Sequence, residues 1–317
     1  MICIDLLTKE SVDHAAPTFP NTVLALGNFD GVHIGHRALL EETVLIAKRL
    51  SSAVRSVAPG VWLFRDPPSD TLRDPPIPHL YTLEEKLTLF GALGIRYAFL
   101  GDFRQLGSIS PQEFTEVLQK DCRCIHAICG FNYSFGHHGK GTPALLKELL
   151  HGSVSEIPPV LWEGAPVSST RIRHLLTEGD VKTAAQLLGR PYSFTLPVIH
   201  GKALGRTIDF PTLNQCFPPL TVIPKSGIYA VTVRFPWERF PTTRYGIANI
   251  GVRPTVESTD RINCETYILD FSGDLYGKDV EIGFVERLRD ERKMSDINEL
   301  KKTIRGDEEK ARRIFGL

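Results

Sequence analysis

The chain has 317 residues, a length that suits two domains better than one hydrophobic core. Hydrophobic residues make up 42% and charged residues 23%, as in ordinary globular proteins, and Lys plus Arg balance Asp plus Glu at 37 each. The formal net charge of zero gives no global basic field that would recruit nucleic acid or an acidic membrane surface. Any phosphate must therefore be bound locally.

The cysteines and the amino-terminal segment bear on the cellular compartment. Six cysteines are scattered over the chain and do not form the dense framework of a secreted, disulfide-rich domain. Cys122 and Cys124 lack a second ligand pair at zinc spacing, so we expect no metal site there. No basic segment followed by an apolar one opens the chain, and no apolar run reaches about 18 residues. These features favour a cytoplasmic protein.

The first part of the sequence alternates strand-like and helix-like segments. Residues 22–29 predict a buried strand that runs into a glycine turn, and residues 36–50 show helical periodicity with basic residues at the end. Further buried strands are expected within 96–103 and 125–136, and the proline-rich segment 57–79 is expected to be a loop. This alternation predicts a mostly parallel sheet with helices on both faces.

Two helix starts are visible in this part. Thr82 and Glu85 have the spacing of a capping box, in which each side chain accepts from the backbone N–H of the other residue. Ser110 and Glu113 repeat the pattern, with Pro111 at the first helical position. We expect a helix to begin at each place.

The composition changes near residue 187, where Gly, Pro and β-forming residues begin to dominate. Short strands bounded by Gly, Pro or Asp are expected at 227–235, 244–252 and 263–271. Residues 295–317 show helical periodicity. The apolar residues that fall roughly on one face of this helix are Ile297, Leu300, Ile304, Ala311 and Phe315.

These two compositions predict two domains within the α/β class. We expect a parallel-sheet domain over residues 1–186 and a small antiparallel β-barrel with a C-terminal helix over residues 187–317. The boundary falls in the segment 187–191.

Residues 27–36, GNFDGVHIGH, stand where the first predicted strand ends and a helix begins. In an open parallel sheet this is where ligands bind, and helix starts suit phosphate. His33 and His36, three residues apart, can both donate hydrogen bonds to the same phosphates. Three glycines let the backbone approach a ligand closely: Gly27, Gly31 and Gly35.

An isolated H-x-x-H is more often a pair of surface histidines. A metal site of the H-E-x-x-H type needs histidines four apart and a carboxylate, and neither is present. The strand before the motif, the helix after it and the three glycines favour phosphate binding.

Residues 27–36 resemble the signature of the H-x-G-H nucleotidyltransferases, in the form G-N-F-D-G-V-H-x-G-H that marks bacterial FAD synthetases. The resemblance implies that this segment binds ATP and that His33 and His36 are catalytic. The ATP-binding residues that it implies here are Gly27, Asn28, Phe29, Asp30 and Gly35.

A second motif, VSSTRIRHLL at residues 167–176, resembles the S-S-T-x-I-R triphosphate loop of the same transferases. Hydroxyl groups of Ser168, Ser169 and Thr170 can bind phosphate or cap a helix, and Arg173 can fork onto phosphate oxygens in a catalytic role. The alternative is a capped amphipathic helix with an apolar face. Both interpretations can be true at once, because the motif lies at the start of the helix that it caps.

The predicted barrel carries a motif of its own, GKALGRTIDFPTLN at residues 201–214, which resembles the riboflavin kinase pattern G-x-x-x-G-R-T-x-x-F-P-T-x-N. Thr212 and Asn214 lie on one side of an extended chain, and both offer oxygen ligands that suit Mg²⁺. By resemblance they hold that ion. The ATP-binding residues implied here are Gly205, Arg206 and Thr207.

Residues 263–271, NCETYILDF, resemble the riboflavin kinase strand whose glutamate is the general base, which gives that role to Glu265. The alternative for Glu265 is an ordinary solvent-facing strand residue. Residues 248–256 and 275–291 also resemble that domain.

The resemblance to bifunctional riboflavin kinase/FAD synthetases covers nearly the whole chain. It implies a Rossmann-like nucleotidyltransferase domain over residues 1–186, which transfers AMP from ATP to FMN and gives FAD and pyrophosphate. It implies that residues 187–317 phosphorylate riboflavin to FMN with ATP and Mg²⁺. The expected partners are these small molecules, with neither nucleic acid nor membrane, and a homo-oligomer is left open.

The sequence departs from the family pattern at several loop positions. Residues 64–68, FRDPP, have no histidine where many relatives have Phe-x-Pro-His-Pro. Asn132 stands where Asp is common and remains a candidate ATP contact, and Gly139 leaves one cation fewer. Two alternative functions stay open: a riboflavin kinase with a decayed N-terminal domain, and a non-enzymatic flavin carrier.

Overall fold

The computed structural model of the chain describes residues 1–6, 19–53, 56–67, 71–201, 210–240, 242–253, 261–292 and 294–317. The chain divides into two compact units, Met1–Ser169 and Thr170–Leu317. No helix within the described ranges has both the length and the apolar composition needed to cross a membrane.

The first unit is built on a six-stranded parallel sheet, which confirms the predicted α/β class. Its strands are β1 (Ile2–Asp5), β2 (Asn21–Leu26), β3 (Val57–Phe64), β4 (Tyr97–Gly101), β5 (Cys124–Gly130) and β6 (Val154–Ile157). Its helices are α1 (Ile34–Leu50), α2 (Leu83–Ala92), α3 (Phe103–Leu106), α4 (Pro111–Lys120) and α5 (Pro143–Leu149). A 3₁₀ turn (His137–Gly139) follows β5, and a short ribbon of β7 (Leu161–Trp162) and β8 (Ala165–Pro166) follows β6.

Both faces of this sheet are buried, because side chains along a strand point alternately to its two sides. On β2, Val23 and Ala25 join one core cluster with residues of α1 and α2. Leu24 and Leu26 join a second cluster with residues of α4 and α5. The continuous apolar strand in the sequence is what a sheet covered on both faces requires.

In the strand order β1-β4-β3-β2-β5-β6, successive strands are added on one side of β2 and then on its other side. The chain runs from β2 through β3 to β4 on one side and then crosses to β5 and β6 on the other. The carboxyl ends of the neighbouring parallel strands β2 and β5 therefore lie at a topological switch point, where open α/β sheets bind ligands.

Residues 57–64 form β3, so the prediction of a loop over 57–79 is wrong for this part. The Pro59 carbonyl accepts from the backbone N–H of Arg96 at 2.9 Å, so the backbone nitrogen and carbonyl of Pro59 point toward the side of β4. Residue pairing between β3 and β4 starts only at Gly60 and Tyr97. The missing N–H of Pro59 therefore costs no ladder hydrogen bond.

Both predicted capping boxes are confirmed. At the start of α2, the Glu85 N–H donates to Thr82 Oγ1 at 3.2 Å and the Thr82 N–H donates to Glu85 Oε2 at 2.8 Å. Ser110 and Glu113 form the same reciprocal pair at the start of α4, with Pro111 in its first turn. Each box satisfies N–H groups that a helix start leaves without an intrahelical partner.

The second unit is an antiparallel six-stranded sheet in the order β10-β13-β12-β11-β14-β9. Its strands are β9 (Tyr192–Pro197), β10 (Thr212–Cys216), β11 (Gly227–Arg234), β12 (Arg244–Arg253), β13 (Arg261–Ile268) and β14 (Asp279–Arg289). Its helices are α6 (Ser169–Glu178), whose first residue closes the first unit, α7 (Val181–Leu188) and α8 (Ile297–Phe315). Ile199 pairs with Asn214, so the two sheet edges approach each other in a half-barrel.

The C-terminal helix packs on this sheet, as predicted. Ala311 is buried in the cluster that joins α8 to the sheet, and Phe315 packs against that cluster. Ile297 is 59% exposed and lies off the apolar face, which the periodicity did not predict. The Asp307 carboxylate, 3% exposed, accepts from Nε and Nη2 of Arg289 on β14 at 2.7–3.0 Å.

The units divide between Ser169 and Thr170, whereas the predicted boundary at 187–191 falls at the end of α7. Helix α7 packs against β9 and β14 and therefore belongs to the second unit. The buried residues of α7 are Val181, Ala184, Leu187 and Leu188. Fragments that begin at different residues test where the independently folding part of the chain starts.

We expect a fragment of residues 170–317 to be more stable than a fragment of residues 187–317. The shorter fragment lacks the buried Ile172, Leu176 and Val181, and each buried aliphatic side chain contributes about 1.5–3 kcal/mol. Thermal denaturation of the two purified fragments measures the difference. Equal midpoints would mean that folding starts at 187 and that α6 and most of α7 add nothing.

Candidate active sites

The loop after β2 contains two non-glycine residues in the left-handed backbone region. Phe29 has φ 52° and Val32 has φ 41°. This conformation is costly for bulky and β-branched residues and persists only where the surroundings hold it. Both side chains are buried, at 1% and 0% exposure, so their burial helps to fix the backbone.

Asp30 anchors the same loop to two other segments. Its carboxylate accepts from the backbone N–H groups of Leu80, at 3.0 and 3.3 Å, and Tyr81, at 3.3 Å. Its carbonyl accepts from the hydroxyl of Ser169 at 2.8 Å. The structure thus places the Asp30 side chain as a support of the loop.

Lys86 on α2 is buried behind this loop, although no sequence motif singled it out. Its side chain is 3% exposed, and Nζ donates to the carbonyl of Asn28 at 3.3 Å. A signal was available, because Lys86 stands in the apolar stripe that Leu83 and Phe90 form on α2. A lysine at such a position is buried only when it has a partner.

His33 and His36 lie side by side at the start of α1. His33 is the N-cap residue, 5% exposed, and its Nδ1 accepts from the backbone N–H of His36 at 3.2 Å. The two rings stack, with centroids 3.6 Å apart and planes 16° apart. Because Nδ1 of His33 accepts, Nε2 is the ring nitrogen that can donate to an anion.

The start of α1 suits an anion in two further ways. Its first turn holds no acidic residue, so no carboxylate of that turn opposes the positive end of the helix dipole. A Cβ at Gly35 would lie 3.1 Å from Cε1 of His33. Glycine at this position therefore leaves room for the His33 ring.

The surroundings of His36 keep its ring neutral. Burial lowers the pKa of His36 well below its ordinary value of 6.5, and the nearby His33 and Lys86 lower it further. Its Nδ1 is buried, and no described group pairs with that atom. The ring also meets Phe29 edge-on, with centroids 5.4 Å apart. His36 is thus a neutral imidazole with hydrogen-bonding capacity to spare.

Asn132 lies in the loop after β5, at the same edge of the sheet as the loop after β2. The N–H of Tyr133 donates to the carbonyl of Gly130 at 3.0 Å, which turns the chain at the end of the strand. The Asn132 side chain is exposed. Its amide can therefore donate to, or accept from, a ligand at the switch point.

The serine-rich motif forms the start of α6. Ser168 and Arg173 are half-buried and Thr170 is exposed. Ile172 is fully buried, which confirms the amphipathic helix. The division between the units follows Ser169 and so falls inside this motif.

In the second unit, three polar residues form a row across neighbouring strands. Asn214 on β10 is opposite Glu265 on β13, and Glu265 is opposite Asn249 on β12. Thr212 precedes Asn214 by two residues and therefore shares its face of the strand. The structure thus brings Thr212, Asn214 and Glu265 onto one face.

Asn214 is buried with an unsatisfied oxygen. The residue is 5% exposed, and its Oδ1 finds no hydrogen-bond partner among the described residues. A Cβ at Gly201 would lie 2.5 Å from its Nδ2, so the chain passes close to this amide. A buried polar atom without a partner costs about 1–3 kcal/mol, which a ligand could offset.

Asn249 was not predicted as a site residue. Its Nδ2 donates to Oε1 of Glu291 at 3.2 Å, and its buried Oδ1 has no partner in the described chain. A Cβ at Gly251 would lie 2.6 Å from the same Oε1, so glycine makes room for Glu291. An asparagine inside the apolar strand sequence IANIGV was the available signal.

A cavity of about 340 Å³ lies beside β10. Val198, Thr212, Thr266 and residues 271–276 contribute to its lining. Its volume falls within the range of small-molecule sites, about 300–1,000 Å³. The predicted ATP contacts Gly205, Arg206 and Thr207 lie outside the described residues.

Comparison with known proteins matches both units. Residues 16–171 match a family described as FAD synthetase, and residues 188–315 match one described as riboflavin kinase. The bifunctional riboflavin kinase/FMN adenylyltransferase of Listeria monocytogenes is 35% identical, over 93% of each chain. That of Bacillus subtilis is 33% identical, over 93% of this chain and 92% of the relative. The chain belongs to the bifunctional riboflavin kinase/FMN adenylyltransferase family. It carries both domains of the family, which makes it a bifunctional transferase.

A solved structure from Streptococcus pneumoniae, described as that of a macrolide-efflux protein, shares this fold. It is 30% identical, with a TM-score of 0.85, and the match covers 98% of this chain and 99% of that one. The name macrolide-efflux protein applies to the pneumococcal protein alone. The family models and the curated relatives agree on flavin chemistry for the family.

The lowered pKa of His36 makes stability depend on pH. Below its ordinary value of 6.5, the unfolded chain binds a proton at His36 that the folded chain excludes. The free energy of unfolding therefore does not depend on protonation of His36 above pH 6.5. It decreases as pH falls from 6.5 toward the folded-state pKa of His36, by up to about 1.4 kcal/mol per pH unit. The thermal midpoint of the first unit should fall with decreasing pH, and we expect it to fall less steeply in His36→Asn.

The exposed His151 supplies the control for this measurement. His151→Asn removes an imidazole without touching the site. Equal slopes of midpoint against pH in the native protein and in His36→Asn would contradict the buried neutral ring.

Proposed function

We propose that this enzyme makes FAD in two steps, one in each unit. The second unit phosphorylates the 5′-hydroxyl of riboflavin with ATP and gives FMN. The first unit then transfers AMP from a second ATP to FMN and gives FAD and pyrophosphate. The observation that carries the proposal is the stacked pair of His33 and His36 at a helix start on the switch point of a parallel sheet.

In the adenylyl transfer, a phosphate oxygen of FMN attacks the α-phosphorus of ATP, and the bond from that phosphorus to the pyrophosphate oxygen breaks. The nucleophile is already an anion, so the step needs neither a covalent enzyme intermediate nor a general base. The protein must hold two anions in line and stabilise the charge that builds up on pyrophosphate.

The residues of the first site supply hydrogen-bond donors for this task. His33 donates through Nε2–H, because its Nδ1 is held by the His36 N–H. His36 acts beside it as a neutral imidazole, and the backbone of Gly27–Phe29 and Gly35 lies against ATP. The resemblance of their motifs, and not their placement, gives Asn132, Ser168, Ser169, Thr170 and Arg173 as the remaining contacts to ATP. Asp30 contributes by holding the loop through Leu80.

In the kinase step, the riboflavin hydroxyl attacks the γ-phosphorus of ATP, and the bond to the ADP oxygen breaks. The hydroxyl must lose its proton, and Glu265 takes it as general base. The place of Glu265 between Asn214 and Asn249 on one face of the sheet supports this role. Asn249 orients the substrate by accepting a hydrogen bond at its buried Oδ1.

Thr212 and Asn214 fit Mg²⁺. The buried Asn214 Oδ1 has no partner among the described residues, and hard cations bind such oxygens. Thr212 adds a hydroxyl on the same face of β10. Bound there with ATP, Mg²⁺ would neutralise charge on the phosphate oxygens. The adjoining cavity of about 340 Å³ is where we place the nucleotide of the kinase step.

The proposal is tested by incubating the purified chain with riboflavin, ATP and Mg²⁺ and separating the flavins by chromatography. We expect FAD. FMN alone would mean that the first unit does not catalyse, and no product would indicate a flavin carrier. Both sites require only small molecules, and we place the enzyme in the cytoplasm.

We expect His36→Ala to depress FAD formation and to spare FMN formation, because His36 belongs to the first site alone. Loss of one donor to developing charge typically costs about 10²–10³ in rate. The two activities are assayed separately, from supplied FMN and from riboflavin, with His151→Asn as the control. An equal loss of both activities would instead indicate a folding role.

Glu265→Gln tests the base, because it removes the carboxylate and nearly preserves size. General-base catalysis contributes about 10²–10⁴-fold, so FMN formation should fall by that order. FAD formation from supplied FMN should stay near normal, and so should riboflavin affinity. Glu281→Gln, at another strand glutamate of the same unit, is the matched control. An unchanged kinase rate would make Glu265 an ordinary strand residue.

A further inference from the structure

Lys86 fixes the direction of one peptide in the loop after β2. Its Nζ donates to the carbonyl of Asn28 at 3.3 Å. The peptide unit is planar and trans, so a carbonyl that points at Lys86 turns the N–H of Phe29 to the opposite side. Phe29 has φ 52°, so this contact acts beside one of the two left-handed non-glycine residues of the loop.

Lys86 also sets the charge behind the histidine pair. It is buried on α2, and its ammonium adds to burial and to His33 in lowering the pKa of His36. In the low effective dielectric of a buried environment, a positive charge acts strongly on a nearby phosphate.

We propose that Lys86 is a positioning residue for adenylyl transfer, which directs the Phe29 N–H toward the ATP phosphates and provides a fixed positive charge behind His36. It acts through Asn28 and His36 and does not touch the substrate. The proposal rests on the proposed role of His36. It gives a function to α2, which lies outside every sequence motif of the site.

The test compares full-length Lys86→Met with the native enzyme. We expect kcat for FAD formation to fall about 10–100-fold, the range for a displaced catalytic group, with a smaller change in KM for ATP. FMN formation from riboflavin should not change. The NMR titration midpoint of His36, assigned with His36→Asn, should rise because the nearby positive charge is gone. Lys48→Met, at an exposed lysine of α1, controls for loss of a lysine.

Two results overturn the proposal: native kcat for FAD formation in Lys86→Met, or a reduced kcat with an unchanged His36 midpoint, which would mean that Lys86 only packs. If Lys86→Met does not fold, Lys86→Gln takes its place. It keeps an N–H donor and lacks the charge, so the His36 midpoint decides: the midpoint should rise, and an unchanged midpoint overturns the proposal. His36→Ala is measured beside both. If His36→Ala keeps native FAD formation, the proposed role of His36 fails, and the proposal for Lys86 fails with it.

Discussion

The first site depends on a loop whose backbone is held in left-handed conformations by groups from elsewhere in the chain. Phe29 and Val32 carry positive φ angles that their side chains disfavour, and both are buried. Asp30 ties the loop to Leu80 and to Ser169. Because these anchors are 50 and 139 residues away in sequence, the loop takes its shape only when the sheet edge is assembled. The loop leads into the stacked pair formed by His33, the N-cap of α1, and His36 in its first turn. Backbone strain of this kind is typical of sites organised before a ligand arrives.

The two sites have opposite hydrogen-bonding character, and their reactions explain why. FMN arrives at the first site as an anion, and that site offers hydrogen-bond donors: backbone N–H groups and the Nε2–H of His33. Riboflavin brings a hydroxyl that must lose a proton to the second site, which offers oxygen acceptors. Glu265 and the amide oxygens of Asn214 and Asn249 lie in one row there. In the proposed mechanism, charge stabilisation and proton removal thus take place on different sheets of one chain.

Local signals predicted most of the elements and brought most of the candidate site residues to notice, and distant contacts explain the failures. The capping boxes at Thr82 and Ser110 involve residues three apart, so they could be recognised in the sequence. Strand β3 was missed because a nearby run of prolines suggested a loop, while the pairing that tolerates Pro59 depends on β4. Lys86 and its partner are 58 residues apart, and Asn249 and its partner are 42 apart. No periodicity or motif spacing encodes such pairs.

Three buried atoms without described partners lie at the two sites: Nδ1 of His36 and the amide oxygens of Asn214 and Asn249. Each destabilises the folded chain by about 1–3 kcal/mol, a large share of the margin by which a domain is stable. Natural proteins keep such atoms where a ligand satisfies them, so the substrates should stabilise the fold that binds them. In the proposed mechanism the same atoms therefore link folding to substrate binding. A chain that satisfied these atoms internally would be more stable, but the atoms would then not be available to bind a phosphate or a metal ion.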